Sequence, residues 1–190
     1  MCGFAGFVGE VENREQVLEN MIDTIIHRGP DSSGKFVDED AALGFRRLSI
    51  IDLSESGDQP LYNEDRSKVL VFNGEIYNYQ ELREELIQAG HTFVSNTDSE
   101  TLIHGYEQWG EELVYRLRGM YAFAIWDQKA KRLFSARDIF GIKPLYYAQM
   151  NGTLMFGSEI KSFLEHPKFD KVFNEDALAD YLSFQFVPTN

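Results

Sequence analysis

The beginning of the chain changes from a strand-like to a helix-like pattern of apolar residues. Residues 2–8 are apolar and separated by glycines, which predicts a strand. Apolar pairs then recur every three to four positions, which predicts an amphipathic helix with one buried face. That face consists of Val17, Leu18, Met21, Ile22, Ile25 and Ile26. Asn13 followed by Gln16 predicts a capping box at the helix start, and the Gly-Pro-Asp sequence at 29–31 predicts the loop that ends the helix.

A period of two residues predicts strands over much of the remaining chain. The predicted strands are residues 35–37, 42–50, 69–72, 120–127, 132–137, 145–149 and 153–156. The pair Asn151-Gly152 lies between the last two strands and is a strong signal for a hairpin turn. Both alternating sets within residues 120–126 are apolar, which is typical of a strand covered on both faces.

Further helices are predicted between and after these strands. Asn78 with Glu81 has the spacing of a second capping box, and Gly90 is the expected end of its helix. The buried face of that helix is expected to carry Leu82, Leu86 and Ala89. Another helix begins at Thr97 or Asp98, and its expected buried side carries Leu102, Ile103, Tyr106 and Trp109. Two short helices close the chain, at 159–164 and at 175–183, the second capped by Asn174.

This order of elements favours an α+β fold over a doubly wound sheet, because runs of strands are separated by paired helices. The strand that is apolar on both faces indicates stacked sheets with helices outside. A chain of 190 residues is long enough for one domain with a substantial core and short for two.

Charge and composition narrow the classes of function. The net charge of -13 disfavours binding to nucleic acid or to an anionic membrane surface. The longest apolar run is too short for a membrane helix. A single cysteine excludes an internal disulfide, and no basic segment with an apolar stretch follows the N-terminus, so the sequence predicts a cytoplasmic protein.

The only cysteine, Cys2, lies where loss of the initiator methionine would make it the N-terminal residue. A free α-amine has a pKa of about 7.7–8.0 and a cysteine thiol one of about 8.5. The amine can therefore act as a base for its own side chain, directly or through water, without a separate histidine. Cys2 is a candidate nucleophile on these grounds. The alternative is a buried cysteine that packs as a small apolar residue.

Four other residues are candidates for binding. Asn73 and Gly74 follow a predicted strand, where the side-chain amide and the main-chain N–H could hold an oxyanion; the alternative is an ordinary Asn-Gly turn. Arg47 lies in an apolar strand and needs a carboxylate partner, from a substrate or from the protein itself. Asp98 either caps its helix or pairs with an ammonium group. Together, Arg47 and Asp98 would suit an α-amino acid, which carries both charges.

The sequence predicts no metal and no cofactor for this domain. The four histidines lack the spacing of metal ligands and are interpreted as hydrogen-bonded or exposed. They are His27, His91, His104 and His166. No Gly-rich phosphate loop is present, and in particular no Ser-Gly-Gly-x-Asp-Ser pyrophosphate loop, so ATP chemistry is not expected within these residues.

Five motifs occur in an order that resembles one enzyme family. They are MCGFAG at 1–6, HRGPD at 27–31, RLSIID at 47–52, FNGEIYN at 72–78, and a segment from Ala-Arg-Asp to Gly-Ile-Lys-Pro-Leu-Tyr-Tyr at 136–147. With these motifs the chain resembles the N-terminal glutaminase domain of glutamine-hydrolysing asparagine synthetases, which are class II glutamine amidotransferases. The resemblance covers essentially the whole chain. It implies an N-terminal-nucleophile (Ntn) hydrolase fold of four layers, αββα.

The resemblance also implies roles for the matching residues. Cys2 would attack the side-chain carboxamide of L-glutamine, while its own amine carries the proton. Asn73 and the Gly74 N–H would hold the oxyanion, Arg47 would bind the α-carboxylate of the substrate, and Asp98 would bind its α-ammonium. Ammonia would leave first, and water would then release glutamate from the thioester. The pocket would be lined, partly by main-chain groups, by Leu48, Ser49, Ile50, Ile51 and Glu75.

In the resembled family a C-terminal synthetase domain uses ATP and Mg²⁺ to make β-aspartyl-AMP from aspartate and then receives the ammonia. Residues 1–190 are expected to form only the glutaminase domain, with about 170–190 leading into the next domain. Such a chain should hydrolyse glutamine without making asparagine. An amidotransferase domain with another ammonia acceptor and a catalytically silent docking domain are the alternatives. A homodimer is left open, and a retained Met1 predicts an inactive form.

Overall fold

Two antiparallel sheets form the centre of the protein in a computed structural model that describes residues 2–48 and 58–187. The strands are β1 (Gly3–Val8), β2 (Ser32–Val37), β3 (Ala41–Arg47), β4 (Leu61–Tyr62), β5 (Lys68–Ile76), β6 (Gly119–Asp127), β7 (Arg132–Arg137), β8 (Tyr146–Met150) and β9 (Thr153–Gly157). The first sheet has the order β2-β3-β1-β9-β8, and the second has the order β4-β5-β6-β7. The β8–β9 hairpin turns at Asn151-Gly152 as predicted, since both residues have positive φ.

Helices cover the outer face of each sheet, except for the final helix, whose residues are all exposed. The helices are α1 (Arg14–Asp23), α2 (Tyr79–Gln88), α3 (Asp98–Trp109), α4 (Leu113–Arg116) and α5 (Leu178–Phe184), with 3₁₀ turns at Ile26–Arg28, Gly110–Glu112 and Ile160–Glu165. Leu18 of α1 and Phe163 of the last 3₁₀ turn pack on the first sheet. Leu82 of α2 and Leu102 of α3 pack on the second sheet. Within the two segments that the structure describes, no helix is both long and apolar enough to cross a membrane.

A hydrophobic core lies between the two sheets. Phe4 and Phe45 from the first sheet meet Val71 and Trp126 from the second, and none of these side chains is more than 1% exposed. On β6, Trp126 faces this inter-sheet core, whereas its neighbour Ile125 faces the helices on the outer side. The two-sided burial that the sequence predicts for this strand is therefore confirmed. The resulting layers are helix, sheet, sheet and helix, which confirms the α+β, four-layer prediction.

The helix starts differ from the capping boxes that the sequence predicts. Asn13 precedes α1 with a left-handed backbone, φ 53°, and its side chain does not cap the helix. Asn78 precedes α2 but its amide is used elsewhere. Its Nδ2 donates to the carbonyl of Arg116 and its Oδ1 accepts the N–H of Arg118, both at 2.9 Å. Asn78 therefore fastens the start of α2 to the segment before β6.

Some predicted boundaries and buried positions are also wrong. Ile26 is 49% exposed, because α1 ends at Asp23 and a 3₁₀ turn with a different period follows. Ala89 is exposed because it is the C-cap residue of α2. The final helix begins at Leu178 instead of residue 175, and Asn174 accepts the N–H of Ala177 in the preceding turn. The end of the strand predicted at 42–50 lies outside the described residues.

Candidate active site

Strand alternation turns Cys2 and Arg47 into the space between the sheets. Residues two apart on a strand point to the same face. Phe4 on β1 and Phe45 on β3 both belong to the inter-sheet core. Cys2, two residues before Phe4, and Arg47, two residues after Phe45, therefore lie on that face. The antiparallel register of β1 and β3 brings the two residues to the same end of the first sheet.

The same alternation on β5 places Asn73 and Glu75 on the inter-sheet face, because Val71 belongs to the inter-sheet core. The sequence predicted that Asn73 and Gly74 follow the strand. The structure instead includes them in β5, where Asn73 pairs with Ala122 of β6. The alternative of an ordinary Asn-Gly turn is therefore wrong. Nine-residue strands paired along their whole length override the local turn preference of Asn-Gly.

Residues 58 and 59 connect the two sheets at this end of the molecule. Asp58 Oδ1 accepts a hydrogen bond from Arg47 Nη1 at 2.8 Å. The next side chain, Gln59, bonds both main-chain groups of Phe72: Oε1 accepts the Phe72 N–H at 2.6 Å and Nε2 donates to the Phe72 carbonyl at 3.2 Å. Because Phe72 immediately precedes Asn73, these contacts put Arg47 and Asn73 at the same end of the inter-sheet space.

The Cys2 thiol lies against the main chain of Leu48. The Leu48 N–H donates to the sulfur at 3.4 Å, and the thiol donates to the Leu48 carbonyl at 3.6 Å. Cys2 is half-buried, so its sulfur borders the inter-sheet core without being sealed inside it. Leu48 thus presents main-chain groups to the candidate nucleophile. The other predicted pocket residues on this segment, Ser49, Ile50 and Ile51, lie outside the described residues.

Arg28 holds the backbone of Cys2, a role that the residue-by-residue interpretation of the sequence missed. Its Nε donates to the carbonyl of Cys2 at 3.1 Å, and its Nη1 pairs with Glu159 at 3.1 Å. A Cβ on Gly3 would come within 2.8 Å of the Arg28 side chain, so glycine leaves the space for this contact. The signal available in the sequence was the presence of Arg28 in the second motif. Glu159 lies outside all five motifs.

The side-chain amide of Asn73 is buried without a hydrogen-bond acceptor. Asn73 is 4% exposed, and its Nδ2 has no partner among residues 2–48 and 58–187. A buried donor in this state costs about 1–3 kcal/mol, and such a group is expected where a ligand supplies the acceptor. The neighbouring Gly74 is required by packing, because a Cβ there would lie 2.3 Å from the carbonyl oxygen of Met120. Asn73 and Gly74 are therefore a candidate oxyanion-binding pair.

Arg47 meets a carboxylate of the protein itself. Its guanidinium is buried, and the Asp58 carboxylate that pairs with it has a side chain 46% exposed. The internal ion pair that the sequence left open as an alternative is therefore present. The pair lies at the solvent edge of the inter-sheet space, so a carboxylate arriving from solvent would meet the guanidinium beside Asp58.

Asp98 is fastened to the end of β5. The N-cap residue of α3 is Thr97, and the Asp98 Oδ2 accepts the N–H of Ile76 at 2.8 Å. Burial raises the pKa of the Asp98 carboxyl; the N–H groups of Ile76 and Ser99 oppose this effect, and the negative charge of Glu75 adds to it. A carboxylate held in this way gains by pairing with a cation. The N-terminus of α3 therefore carries the negative partner that an ammonium group needs.

Comparison with known proteins adds an independent observation. A family model described as a glutamine amidotransferase domain matches residues 1–190, the whole chain. The chain belongs to this family.

Curated relatives of this amidotransferase domain are much longer than the chain. It is 48% identical over 193 residues to asparagine synthetase [glutamine-hydrolyzing] 1 of Bacillus subtilis, covering 99% of this chain and 30% of that protein. A putative asparagine synthetase [glutamine-hydrolyzing] of Mycobacterium tuberculosis is 43% identical over 210 residues, with 99% and 32% covered. Asparagine synthetase [glutamine-hydrolyzing] of Zea mays is 44% identical over 167 residues, with 85% and 28% covered. The chain spans less than a third of each of these relatives.

Solved structures share the fold of the amidotransferase domain at low sequence identity. Glutamine phosphoribosylpyrophosphate amidotransferase from B. subtilis, complexed with ADP and GMP, superposes with a TM-score of 0.73 at 23% identity, covering 85% of this chain and 43% of that one. A structure described as the allosteric regulatory enzyme of purine biosynthesis has a TM-score of 0.75 at 22% identity, with 86% and 43% covered. These similarities confirm the Ntn type of fold.

Because its amide nitrogen has no acceptor among the described residues, Asn73 is predicted to lower the free energy of unfolding of the domain. Replacing it with leucine, which has the same number of side-chain heavy atoms in the same branched arrangement, should leave the free energy of unfolding unchanged or raise it by about 1–2 kcal/mol, because a buried donor without an acceptor is removed. Asn63 is the matched control: it is also 4% exposed, but its Nδ2 donates to Glu107 at 2.7 Å and its Oδ1 accepts the Lys68 N–H at 2.8 Å. Asn63→Leu should therefore lower the free energy of unfolding by about 1–3 kcal/mol.

Urea denaturation of the wild type and the two variants measures this difference. A loss of stability in Asn73→Leu as large as that in Asn63→Leu would show that the Asn73 amide is satisfied within the protein.

Proposed function

We propose that this domain hydrolyses the side-chain amide of L-glutamine to glutamate and ammonia. The observation that carries the proposal is the placement of the Cys2 thiol and the unpartnered Asn73 amide on the facing walls of the inter-sheet space. A nucleophile and a donor directed at the developing oxyanion are what attack on an amide carbonyl requires. Membership of the glutamine amidotransferase family supports the same chemistry.

The proposed reaction begins with attack of the Cys2 sulfur on the amide carbon. Removal of Met1 frees the α-amine of Cys2, which takes the thiol proton as the carbon–sulfur bond forms. The amine then gives this proton to the leaving nitrogen, which departs as ammonia when the carbon–nitrogen bond breaks, leaving a thioester. Water adds to the thioester and breaks the carbon–sulfur bond, which releases glutamate and regenerates the thiol.

Two groups stabilise the tetrahedral intermediates in this proposal. The Asn73 Nδ2 and the Gly74 N–H donate to the oxyanion, and loss of one such donor typically costs about 100- to 1,000-fold in rate. Arg28 holds the carbonyl of Cys2 at 3.1 Å, and so fixes the peptide that carries both the thiol and the amine. Arg28 is therefore a positioning residue for the nucleophile.

The charges at the open end of the inter-sheet space match an α-amino acid. Arg47 would bind the α-carboxylate of the substrate. That carboxylate would either share the guanidinium with Asp58 or displace Asp58 from it. Asp98 would bind the α-ammonium, with the exposed Glu75 beside it. The main chain of Leu48, together with Ser49, Ile50 and Ile51, would complete the pocket for the side chain, as the resemblance implies.

The proposed ammonia acceptor lies outside this chain. The three curated relatives described above are named asparagine synthetases, and the chain matches 28–32% of their length. We infer that the rest of the complete protein is a C-terminal domain that converts aspartate to asparagine with ATP and Mg²⁺. The glutaminase domain of residues 1–190 needs no cofactor in this proposal. A homodimer and a cytoplasmic location stay predictions.

The exposed apolar surface supports a docked partner domain. The loop after β7 projects Ile139, 93% exposed, and Phe140, 85% exposed. Hydrogen bonds hold the main chain of this loop, since the Asp138 carboxylate accepts the N–H groups of Phe140, Ile142 and Lys143. Helix α5 buries none of its residues. Exposed apolar patches are typical of interaction sites, so we propose that the synthetase domain covers this loop and α5.

Glutamate release from glutamine by the purified chain tests the proposal. Protein whose intact mass shows loss of Met1 should release glutamate, and Cys2→Ala should lose at least about a thousandfold in kcat, because no other group forms the thioester. The melting temperature of the variant, measured alongside, shows that the fold is kept. Trimmed wild-type protein without activity, or a fully active Cys2→Ala, would contradict the proposed mechanism.

Asp98→Asn tests the assignment of the ammonium-binding group. Asparagine can still accept the Ile76 N–H, but it removes a charge-assisted bond worth about 1.5–3 kcal/mol, so KM for glutamine should rise about 10- to 100-fold with kcat little changed. Because the pKa of the Asp98 carboxyl is raised, the wild-type KM should increase as the pH falls through that raised value, whereas the KM of the variant should stay flat.

Asp176→Asn is the control, because it removes a carboxylate at an exposed position outside the candidate site. This variant should leave the KM for glutamine unchanged. Identical KM values and identical pH profiles for wild type and Asp98→Asn would exclude Asp98 from substrate binding.

A further inference from the structure

We propose that Glu64, His91, His104 and Glu107 bind one divalent cation of the Zn²⁺ class. Each of the four residues offers one nitrogen or oxygen, and these atoms all lie within 4.8 Å of one another. The sequence predicted no metal site, because the histidines lack ligand-like spacing. The fold brings the four residues together from separate segments: the turn before β5, the loop after α2, and α3 itself.

The distances between these atoms are close to those of a tetrahedral site. Bonds of about 2.0–2.2 Å from Zn²⁺ to nitrogen and oxygen place the ligand atoms roughly 3.4 Å apart. His104 Nδ1 lies 3.2 Å from Glu107 Oε2 and 3.5 Å from Glu64 Oε2. His91 Nδ1 lies 3.9 Å from both Glu64 Oε1 and Glu107 Oε2. The widest separation among the four ligand atoms is as much as 4.8 Å, so forming the site would require side-chain shifts of up to about 1 Å.

Neighbouring side chains orient the ligands toward the common centre. His91 Nε2 is 3.2 Å from Gln108 Oε1, which accepts its proton and leaves Nδ1 for a metal. His104 Nε2 lies 3.6 Å from the buried carboxylate of Glu100. The Oε1 of Glu107 accepts the Asn63 Nδ2 at 2.7 Å, which leaves Oε2 facing the histidines. Outer partners of this kind fix the tautomer and orientation of ligands in metal sites.

The donor set selects the class of ion. Two imidazole nitrogens disfavour Mg²⁺ and Ca²⁺, which prefer ligand sets composed of oxygen, and suit a borderline cation such as Zn²⁺. The two carboxylates would neutralise its double charge. His104 is 2% exposed, whereas the Glu64 side chain is 45% exposed, so the cluster has a buried floor and an open side through which an ion can enter.

The alternative for these residues is an ion-pair network that needs no metal. In that case a protonated His104 is balanced by the surrounding carboxylates of Glu64, Glu100 and Glu107, and a metal would have to displace its proton. The two cases differ in whether the cluster takes up a stoichiometric ion. The proposed ion would be structural, since it would clamp the turn before β5 and the loop after α2 to α3.

Metal titration of the intact chain, freed of any affinity tag and dialysed against a chelator, tests the proposal. We expect one Zn²⁺ per chain in competition with a chromophoric chelator, an intense tetrahedral Co²⁺ spectrum, a higher melting temperature with Zn²⁺, and no such effects with Mg²⁺. Glu64→Gln with His91→Gln removes two of the four proposed ligands, one from the turn before β5 and one from the loop after α2, and should weaken Zn²⁺ binding at least about 100-fold.

The double variant Glu84→Gln with His27→Gln makes the same chemical changes outside the cluster and should bind Zn²⁺ like the wild type. Absence of stoichiometric Zn²⁺ binding, equal binding by both double variants, or a Co²⁺ spectrum typical of octahedral coordination would overturn the proposal. None of these outcomes bears on glutamine hydrolysis, because the proposed cation takes no part in that reaction.

Discussion

The packing of β1 against β5 across the inter-sheet core is the interaction on which the candidate site depends. Phe4 and Val71 fill the space between these strands, and the residues two positions nearer its open end are Cys2, just before β1, and Asn73 on β5. A slip of one residue in either strand would turn its polar group toward the outer helices. The bonds between Gln59 and Phe72 and the close approach of Gly74 to Met120 hold β5 in register. The site is therefore a continuation of the core at its open end.

Polar groups that are costly to bury are concentrated at this end of the inter-sheet space. The Asn73 amide has a buried Nδ2 without an acceptor in the described parts of the chain, and burial raises the pKa of Asp98. Proteins commonly give up stability in this way where a ligand supplies the missing partner. Helix α3 carries Asp98 at its first residue and His104 six residues later, about 9 Å along the axis. The same helix therefore carries Asp98 of the candidate active site and His104 of the separate cluster with Glu64, His91 and Glu107.

The sequence predicted the features that depend on local pattern and on the resemblance. Alternation located the strands, Asn151-Gly152 located a hairpin, and the five motifs indicated the layered fold. Asn73 and Gly74 were misassigned to the end of a strand, because pairing along all of β5 and β6 is a long-range effect that outweighs the turn preference of Asn-Gly. The contact of Arg28 with Glu159 and the grouping of His91 with His104 and Glu64 gave no local signal, since only the folded chain brings these residues together.

The account as a whole depends on a free N-terminal thiol at Cys2, activated by its own amine. Reaction with a diazo-ketone analogue of glutamine, followed by peptide mass spectrometry, measures this most directly. The account predicts one adduct per chain, on Cys2, in protein whose intact mass shows that Met1 has been lost, and no adduct in protein that retains Met1. An adduct on another residue, or none despite a free N-terminal Cys2, would contradict it.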